Sequence, residues 1–266
     1  MRAPGNTIPT VIFHVTLAPR TEKDYPPPHV VKWIKSKCPG WTYLHLNDRE
    51  CLEFFEANPV PEFPEIALKF QALSNPAHKS DLFRYYYLYV KGGLFIDSDA
   101  IPMQNINELL EDYNFVSVKS FIEGTMANGF IACAPGNKIL LEALRDAYDT
   151  SDATLLADYH LLCRNFYTIV NKHVDSGVKF LQEIEERDWI RFSRMRMFDA
   201  SGRVALIHYF GDKIVPRYPR WNHAIRVLPM RMRELTAPLR TMIRLAKKLG
   251  KMETRALTKI CQQNST

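Results

Sequence analysis

The stretch from Asn75 to Asp99, NPAHKSDLFRYYYLYVKGGLFIDSD, constrains the fold more than any other part of the chain. Asn75 is a good helix N-cap and Pro76 suits a first helical turn. The run AHKSDLFRYYYLYV then leads to Gly92, a residue that can end a helix at positive φ. GLFID follows almost without a loop, and its length and residue types are those of a buried strand. A helix tied to a buried strand by two glycines must lie back against the sheet holding that strand. Layered α/β geometry is the expected result.

The flanking sequence repeats the alternation. TVIFHVTLA (Thr10 to Ala18) and WTYLHLND (Trp41 to Asp48) read as strands, with VVKWIKSKC between them as a short helix behind Pro26 to Pro28. That is a βαβ beginning. PEIALKFQALS, NKILLEALRDAY and DYHLLCRNFYTIV read as helices, and FVSVKS, GFIACAP and VALIHYF as strands. At 266 residues, 46% hydrophobic and 24% charged, the chain can bury a core and is not of a disordered class. Cys38, Cys51, Cys133, Cys163 and Cys261 form no C-x-x-C pair and read as buried or free thiols of a reducing compartment. No apolar run reaches the roughly 18 residues of a membrane span, and MRAPGNTIPT has no apolar signal core. The expected location is cytoplasmic.

The net charge of +6 is unevenly placed. From Arg226 to Lys259 there are ten Lys/Arg and two Glu, so the body is close to neutral and no nucleic-acid partner is expected. The boundary therefore falls between a body at 1–225 and a basic tail at 226–266. In the tail, Leu239, Met242, Ile243, Ala246 and Leu249 share one side of a helix, opposite Arg240, Arg244, Lys247 and Lys248. Such a helix suits the inner face of an anionic membrane as a peripheral anchor, or packing against its own domain with a solvated basic face.

Asp97 and Asp99 are two apart, so both can point out of the sheet where the strand stops. Ligands of open α/β sheets bind at the carboxyl ends of strands. Two carboxylates there make a hard oxygen site for Mg²⁺ or Mn²⁺, completed by phosphate oxygens of a substrate. A polar turn ending the strand uses the same residues. Asp81 and Arg84, three apart on the preceding helix, share a face; they either reach that site or form a salt bridge within the helix.

Taken together, HKSDLFRYYYLYVKGGLFIDSD (His78 to Asp99) resembles the S-D-x-x-R…G-G-x-x-x-D-x-D signature of the glycosyltransferases with a D-x-D sugar-binding region. The resemblance implies a GT-A fold, a Rossmann-like mixed sheet with flanking helices, here followed by the C-terminal basic helix. It implies a metal-dependent, retaining transfer of a hexose from a UDP- or GDP-sugar to a glycan or lipid-linked acceptor, in cell-surface polysaccharide synthesis. Asp81 and Arg84 match the donor-sugar pair, Asp97 the aspartate near ribose and metal, and Asp99 the direct ligand of Mn²⁺ or Mg²⁺. IPTVIFHVT resembles the first strand of the family and offers His14 and Thr16 to the nucleotide; MANGFIAC offers Asn128 and Gly129 to the sugar. IHYFGDKIVPRYPRW resembles a late H-x-W segment and offers His208 to metal or diphosphate. No T-G-P acceptor signature lies between Asp149 and Ile169, where Asp158 is the candidate catalytic carboxylate. That departure leaves a catalytically silent nucleotide- or glycan-binding relative as the alternative.

Overall fold

The computed structural model describes residues 7–18, 26, 28–98, 100–174, 177–187 and 193–208. Its elements are β1 (Val11–Val15), α1 (Pro28–Lys37), β2 (Thr42–Leu46), α2 (Asp48–Ala57), α3 (Ile66–Ala72), α4 (Pro76–Lys91), β3 (Gly93–Ile96), β4 (Ala100–Pro102) and α5 (Ile106–Leu110). There follow β5 (Phe115–Lys119), β6 (Met126–Cys133), α6 (Lys138–Asp149), α7 (Asp152–Ala157), α8 (Leu161–Asn171), β7 (Val178–Arg187), β8 (Ser193–Phe198) and β9 (Val204–His208). The basic tail and its boundary at 225 lie outside the described residues.

The described strands form one mixed sheet in the order β2-β1-β3-β6-β5-β7-β8-β9-β4. β1 pairs in parallel with β2 and β3, as the opening βαβ unit requires, while β6 runs antiparallel to both β3 and β5. β3 and β4 stand six places apart in that order, yet Ile96 and Ala100 are separated by only three residues. Four residue steps span at most about 14 Å, whereas six flat strand spacings need about 29 Å. The sheet therefore curls back on itself, and the β3–β4 turn at Asp97 sits in the bend.

Helix α4 is the centre of the packing. Asn75 caps it by accepting from the Ala77 N–H, and Pro76 occupies its first turn. Every residue from Asp81 to Leu88 is buried, so the helix is covered all round rather than along one stripe. One side meets the sheet through Phe13, Phe95 and Tyr87, with the Phe13 and Tyr87 rings 4.1 Å apart. Phe54, Phe55 and Phe70 from α2 and α3 close on Phe83 and Tyr86. Among the described residues no helix is long and apolar enough to cross a membrane.

Several elements differ from the sequence reading. Helix α2 was not expected, because 41–48 reads as a strand to its end; in fact Asn47 and Glu50 form a reciprocal capping box that turns the chain into a helix at once. The single helix expected across DYHLLCRNFYTIV begins only at Leu161. Asp158 is instead the C-cap of α7. The hairpin β7–β8 and the three-residue β4 carried no recognised signal. The thiols of Cys38, Cys51, Cys133 and Cys163 are unbonded, and burial pushes Cys38 and Cys163 up to about 12.

The two glycines are required by geometry. Gly92 has φ of 66° and Gly93 of 105°, and a Cβ on Gly93 would lie 2.7 Å from the Val11 carbonyl oxygen in the neighbouring strand. Gly93→Ala is expected to destabilise the fold by roughly 3 kcal/mol or more, through strain added to a backbone clash. Gly136→Ala, also at positive φ but with open space around the new Cβ, should cost only about 1–2 kcal/mol. Urea unfolding of both variants checks the difference.

Candidate functional site

Arg84 lies near the middle of α4 with only 6% of its side chain exposed. A guanidinium at that depth needs partners for its donors. Nε donates to the Ser80 carbonyl (3.1 Å) and Nη2 to the Ser80 hydroxyl (2.7 Å), one helical turn back. Nη1 donates to the Asn128 carbonyl and lies 3.3 Å from Asp97 Oδ1. Asp81 Oδ1 stands 3.5 Å from Nε, and the cation covers the Phe95 ring at 4.1 Å. One side chain thus joins the helix to the end of β3 and to β6.

The strand β6 is irregular where it meets Arg84. Its register with β5 passes from Val116↔Ala132 to Val118↔Ala127, so the residues 128–131 stand opposite Ser117 alone. The bulge takes the Asn128 carbonyl out of the β5 ladder and leaves it to Arg84. The next carbonyl, of Gly129, accepts from the Asp97 N–H at 2.8 Å, and the Asn128 amide donates to Asp81 Oδ1 at 3.0 Å. Asn128 and Gly129 therefore lie inside β6, and both bind the carboxylate-bearing segments.

These contacts bring Asp81, Arg84, Asp97, Asn128 and Gly129 into one cluster at the carboxyl end of β3. Burial pushes the Asp81 carboxyl up, and Arg84 and Asn128 pull it back down. Asp97 is 30% exposed on its side chain, against 10% for Asp81, so Asp97 is the carboxylate that faces outward. Asp99 lies outside the described residues, as does the side chain of His208, whose backbone pairs with Ala100 and Met195. Among the described residues, no group of three or more His, Cys, Asp or Glu converges as a metal centre.

His14 and Thr16 lie at the neighbouring end of β1. The Thr16 hydroxyl meets His45 Nε2 at 2.9 Å. His14 is fully buried, and neither of its ring nitrogens makes a hydrogen bond. Burial and the facing His45 lower its pKa to about 3, while Asp97 pulls the other way. Asp158 is partly exposed and ion-paired with Arg164.

The sequence reading missed some of the surroundings. Ser80, four residues before Arg84, supplies two acceptors and could have been found from that spacing. His78, one turn before Asp81, is buried and reaches the Tyr159 carbonyl at 3.3 Å, with its ring 5.5 Å from the Tyr159 ring. Tyr159 keeps 55% of its surface exposed overall, yet partial burial first, and then the charges of Asp81 and Asp97, raise its phenol pKa. No local signal places Tyr159 there, because α7 and α8 bring it in from far along the chain.

Residues 28–116 match the glycosyltransferase sugar-binding region containing the DXD motif. The chain is 25% identical over 131 residues to the initiation-specific alpha-1,6-mannosyltransferase of Saccharomyces cerevisiae, a match covering 45% of this chain and 27% of that protein. The chain thus spans about a quarter of the length of that curated relative. Among solved structures, the PaToxG glycosyltransferase is 14% identical, with 63% of this chain and 70% of that one covered and a TM-score of 0.43. The ligand-free glycosyltransferase domain from the YGT toxin is 10% identical, with 66% and 80% covered and a TM-score of 0.39.

Arg84→Met leaves a buried carboxylate and a buried carbonyl without their donor, and should cost about 3–5 kcal/mol of stability. Arg84→Met combined with Asp81→Leu should recover only the part due to the unpaired Asp81 charge, since the Asn128 carbonyl and amide stay without their partners, and a double-mutant cycle by urea unfolding reads the coupling. For His14 the folded pKa lies below the unfolded one, so the unfolded chain takes up the proton first. The stabilising contribution is complete above pH 6.5 and shrinks by about 1.4 kcal/mol per unit as pH falls from 6.5 towards 3. Between pH 7 and pH 5 the wild type should lose about 2 kcal/mol more than His14→Gln.

Proposed function

We propose that this chain, which carries a D-x-D glycosyltransferase region at residues 28–116, transfers a hexose from a nucleotide-sugar to a glycan or lipid-linked acceptor. The observation that carries the proposal is the convergence of Asp81, Arg84 and Asn128, all buried, on the more exposed Asp97 at the carboxyl end of β3. A site for a sugar needs fixed acceptors and donors for hydroxyl groups. Asp81 and Asn128 supply both, and Arg84 fixes their orientation.

The donor set at the strand end also fits a divalent cation. Asp97 offers a partly exposed carboxylate oxygen, Asp99 follows two residues later, and hard oxygen donors of this kind suit Mn²⁺ or Mg²⁺. Held by Asp99 and Asp97, with His208 as a further candidate ligand, the cation would supply Lewis-acid stabilisation to the departing diphosphate. Asp81, Arg84 and Asp97 together carry one net negative charge when ionised, which favours the cation. His14 stays neutral at physiological pH and adds no competing positive charge. It and Thr16 stand on the nucleotide side of the site.

The transfer is assigned retention at the anomeric carbon. Asp158, the candidate catalytic carboxylate, is ion-paired with Arg164, and same-face attack needs no carboxylate nucleophile. The acceptor hydroxyl attacks from the face the diphosphate leaves, and the leaving phosphate receives its proton. The work of the chain is then to orient the sugar and keep water from the anomeric carbon. A peripheral position on an anionic membrane, through the basic tail, would suit a lipid-linked acceptor of cell-surface polysaccharide synthesis.

Calorimetric titration with UDP and GDP, each with Mn²⁺ and with chelator, tests the reading on the wild type and on Asp99→Ala. Micromolar, metal-dependent binding of one nucleotide is expected, weakened at least tenfold by the substitution. Absence of binding to either nucleotide by folded protein would overturn the donor site. Binding of the matching nucleotide-sugar without transfer or slow hydrolysis would mark a silent relative instead.

A further inference from the structure

A second site is formed at the opposite end of the sheet. A cavity of about 360 Å³ opens beside the start of β1 and β2, lined among others by Thr10, Trp41, Asn107, Glu108, Glu111 and Tyr113. β1 and β3 run in parallel with Phe13 level with Phe95, so Thr10 and Asp97 mark opposite ends of the paired strands. Five residue steps along a strand separate the two levels by about 17 Å. The cavity is therefore distinct from the cluster around Arg84.

The lining has a particular chemistry. Two aromatic rings offer flat apolar faces, two carboxylates and two threonine hydroxyls offer acceptors, and among the described lining residues there is no lysine, arginine or histidine. The Trp41 ring is fixed, since its Nε1 donates to Asn107 Oδ1 at 2.7 Å. Tyr113 is held as well: Lys179 Nζ lies 4.8 Å from its ring centroid and donates to the Leu109 carbonyl at 2.7 Å. Between Glu111 and Tyr113, Asp112 has φ of 67°, an uncommon backbone state for a residue other than glycine. Rings already held in place cost little entropy to engage.

We infer that this cavity binds a saccharide, with the pyranose C–H face against Trp41 or Tyr113 and its hydroxyls donating to Glu108 and Glu111. The carboxylates also attract a cation, but the Lys179 ammonium already occupies the position over Tyr113 that would hold one against that ring. A neutral polyol can use the carboxylates and the remaining ring faces together. The volume accommodates one or two sugar units, which makes the site an anchor for a glycan and not a second transfer centre. The inference rests on this lining alone and stands whether or not the chain transfers a sugar.

The full chain is first screened on a microarray of defined yeast, animal and bacterial glycans. The strongest-binding glycan is then titrated by NMR against the Trp41 indole N–H, assigned through Trp41→Phe. The expected result is binding by a related set of glycans, a shift of the Trp41 signal, and at least tenfold weaker affinity in Tyr113→Ala and in Glu111→Gln. Both residues are exposed, so the variants should keep the wild-type thermal midpoint to within a few degrees, and nucleotide binding should be unchanged. A silent array overturns the inference. So does glycan binding that survives both substitutions but is lost in Asp81→Asn, which would locate it at the Arg84 cluster. A Trp41 shift on adding spermidine, without any glycan response, would make the cavity a cation site.

Discussion

The buried guanidinium of Arg84 is the interaction on which the rest of the site depends. A cation at that depth is tolerated only when its donors are met and its charge is opposed. Ser80, the Asn128 carbonyl, Asp81 and Asp97 meet those demands from three different elements. The consequence is positional: α4, the end of β3 and the bulge of β6 are fixed relative to one another by one side chain. Phe95, beneath the cation, carries the same constraint into the aromatic core.

Backbone irregularities make this possible. A regular β6 would spend the Asn128 carbonyl on the β5 ladder, and Arg84 would lack an acceptor. A longer connection than Gly92-Gly93 would let α4 move off the strand it follows. The glycines hold that connection to its minimum, with the Val11 and Cys133 carbonyls too close to admit a Cβ. Glycine fit, bulge and buried charge are thus coupled, and the coupling sets where Asp97 emerges.

Much of this was legible in the sequence, and the limits have physical causes. The cap at Asn75, the helix to Gly92 and the strand GLFI could be read because their signals are local and agree with one another. The shared face of Asp81 and Arg84 follows from helical spacing, although spacing alone left open whether the pair served a site or only the helix. What spacing could not show was the third partner. Asn128 lies 44 residues beyond Arg84, and it contributes its main-chain oxygen, which any residue type would possess. The MANGFIAC segment points to the same residues for a different reason, its resemblance to a family segment that sets an amide and bare backbone against the sugar. Helix α2 was legible in principle through Asn47 and Glu50 but lay hidden behind a convincing strand. Asp158 was expected within a helix, whereas the chain breaks at Asp158 to His160 between α7 and α8, a boundary that an uninterrupted helical pattern conceals.

The distribution of unsatisfied polar atoms separates stability from function. Buried groups without hydrogen-bond partners include both His14 nitrogens, His78 Nδ1, the Tyr85 hydroxyl and Asn128 Oδ1. Tyr85 and Asn128 lie in the field of Asp81 and Arg84, and His14 in that of Asp97. Each such atom costs about 1–3 kcal/mol where an apolar residue of similar shape would cost little. A chain shaped for stability alone would replace them, since well-packed apolar residues commonly outperform a buried ion pair. Those on β1, α4 and β6 around Asp81, Arg84 and Asp97 are understandable if the pocket must present fixed dipoles before a polar ligand arrives, whereas the Tyr43, Gln104 and Ser117 oxygens belong to other segments. Such groups cannot reorganise, so their polarity is fixed before any ligand arrives.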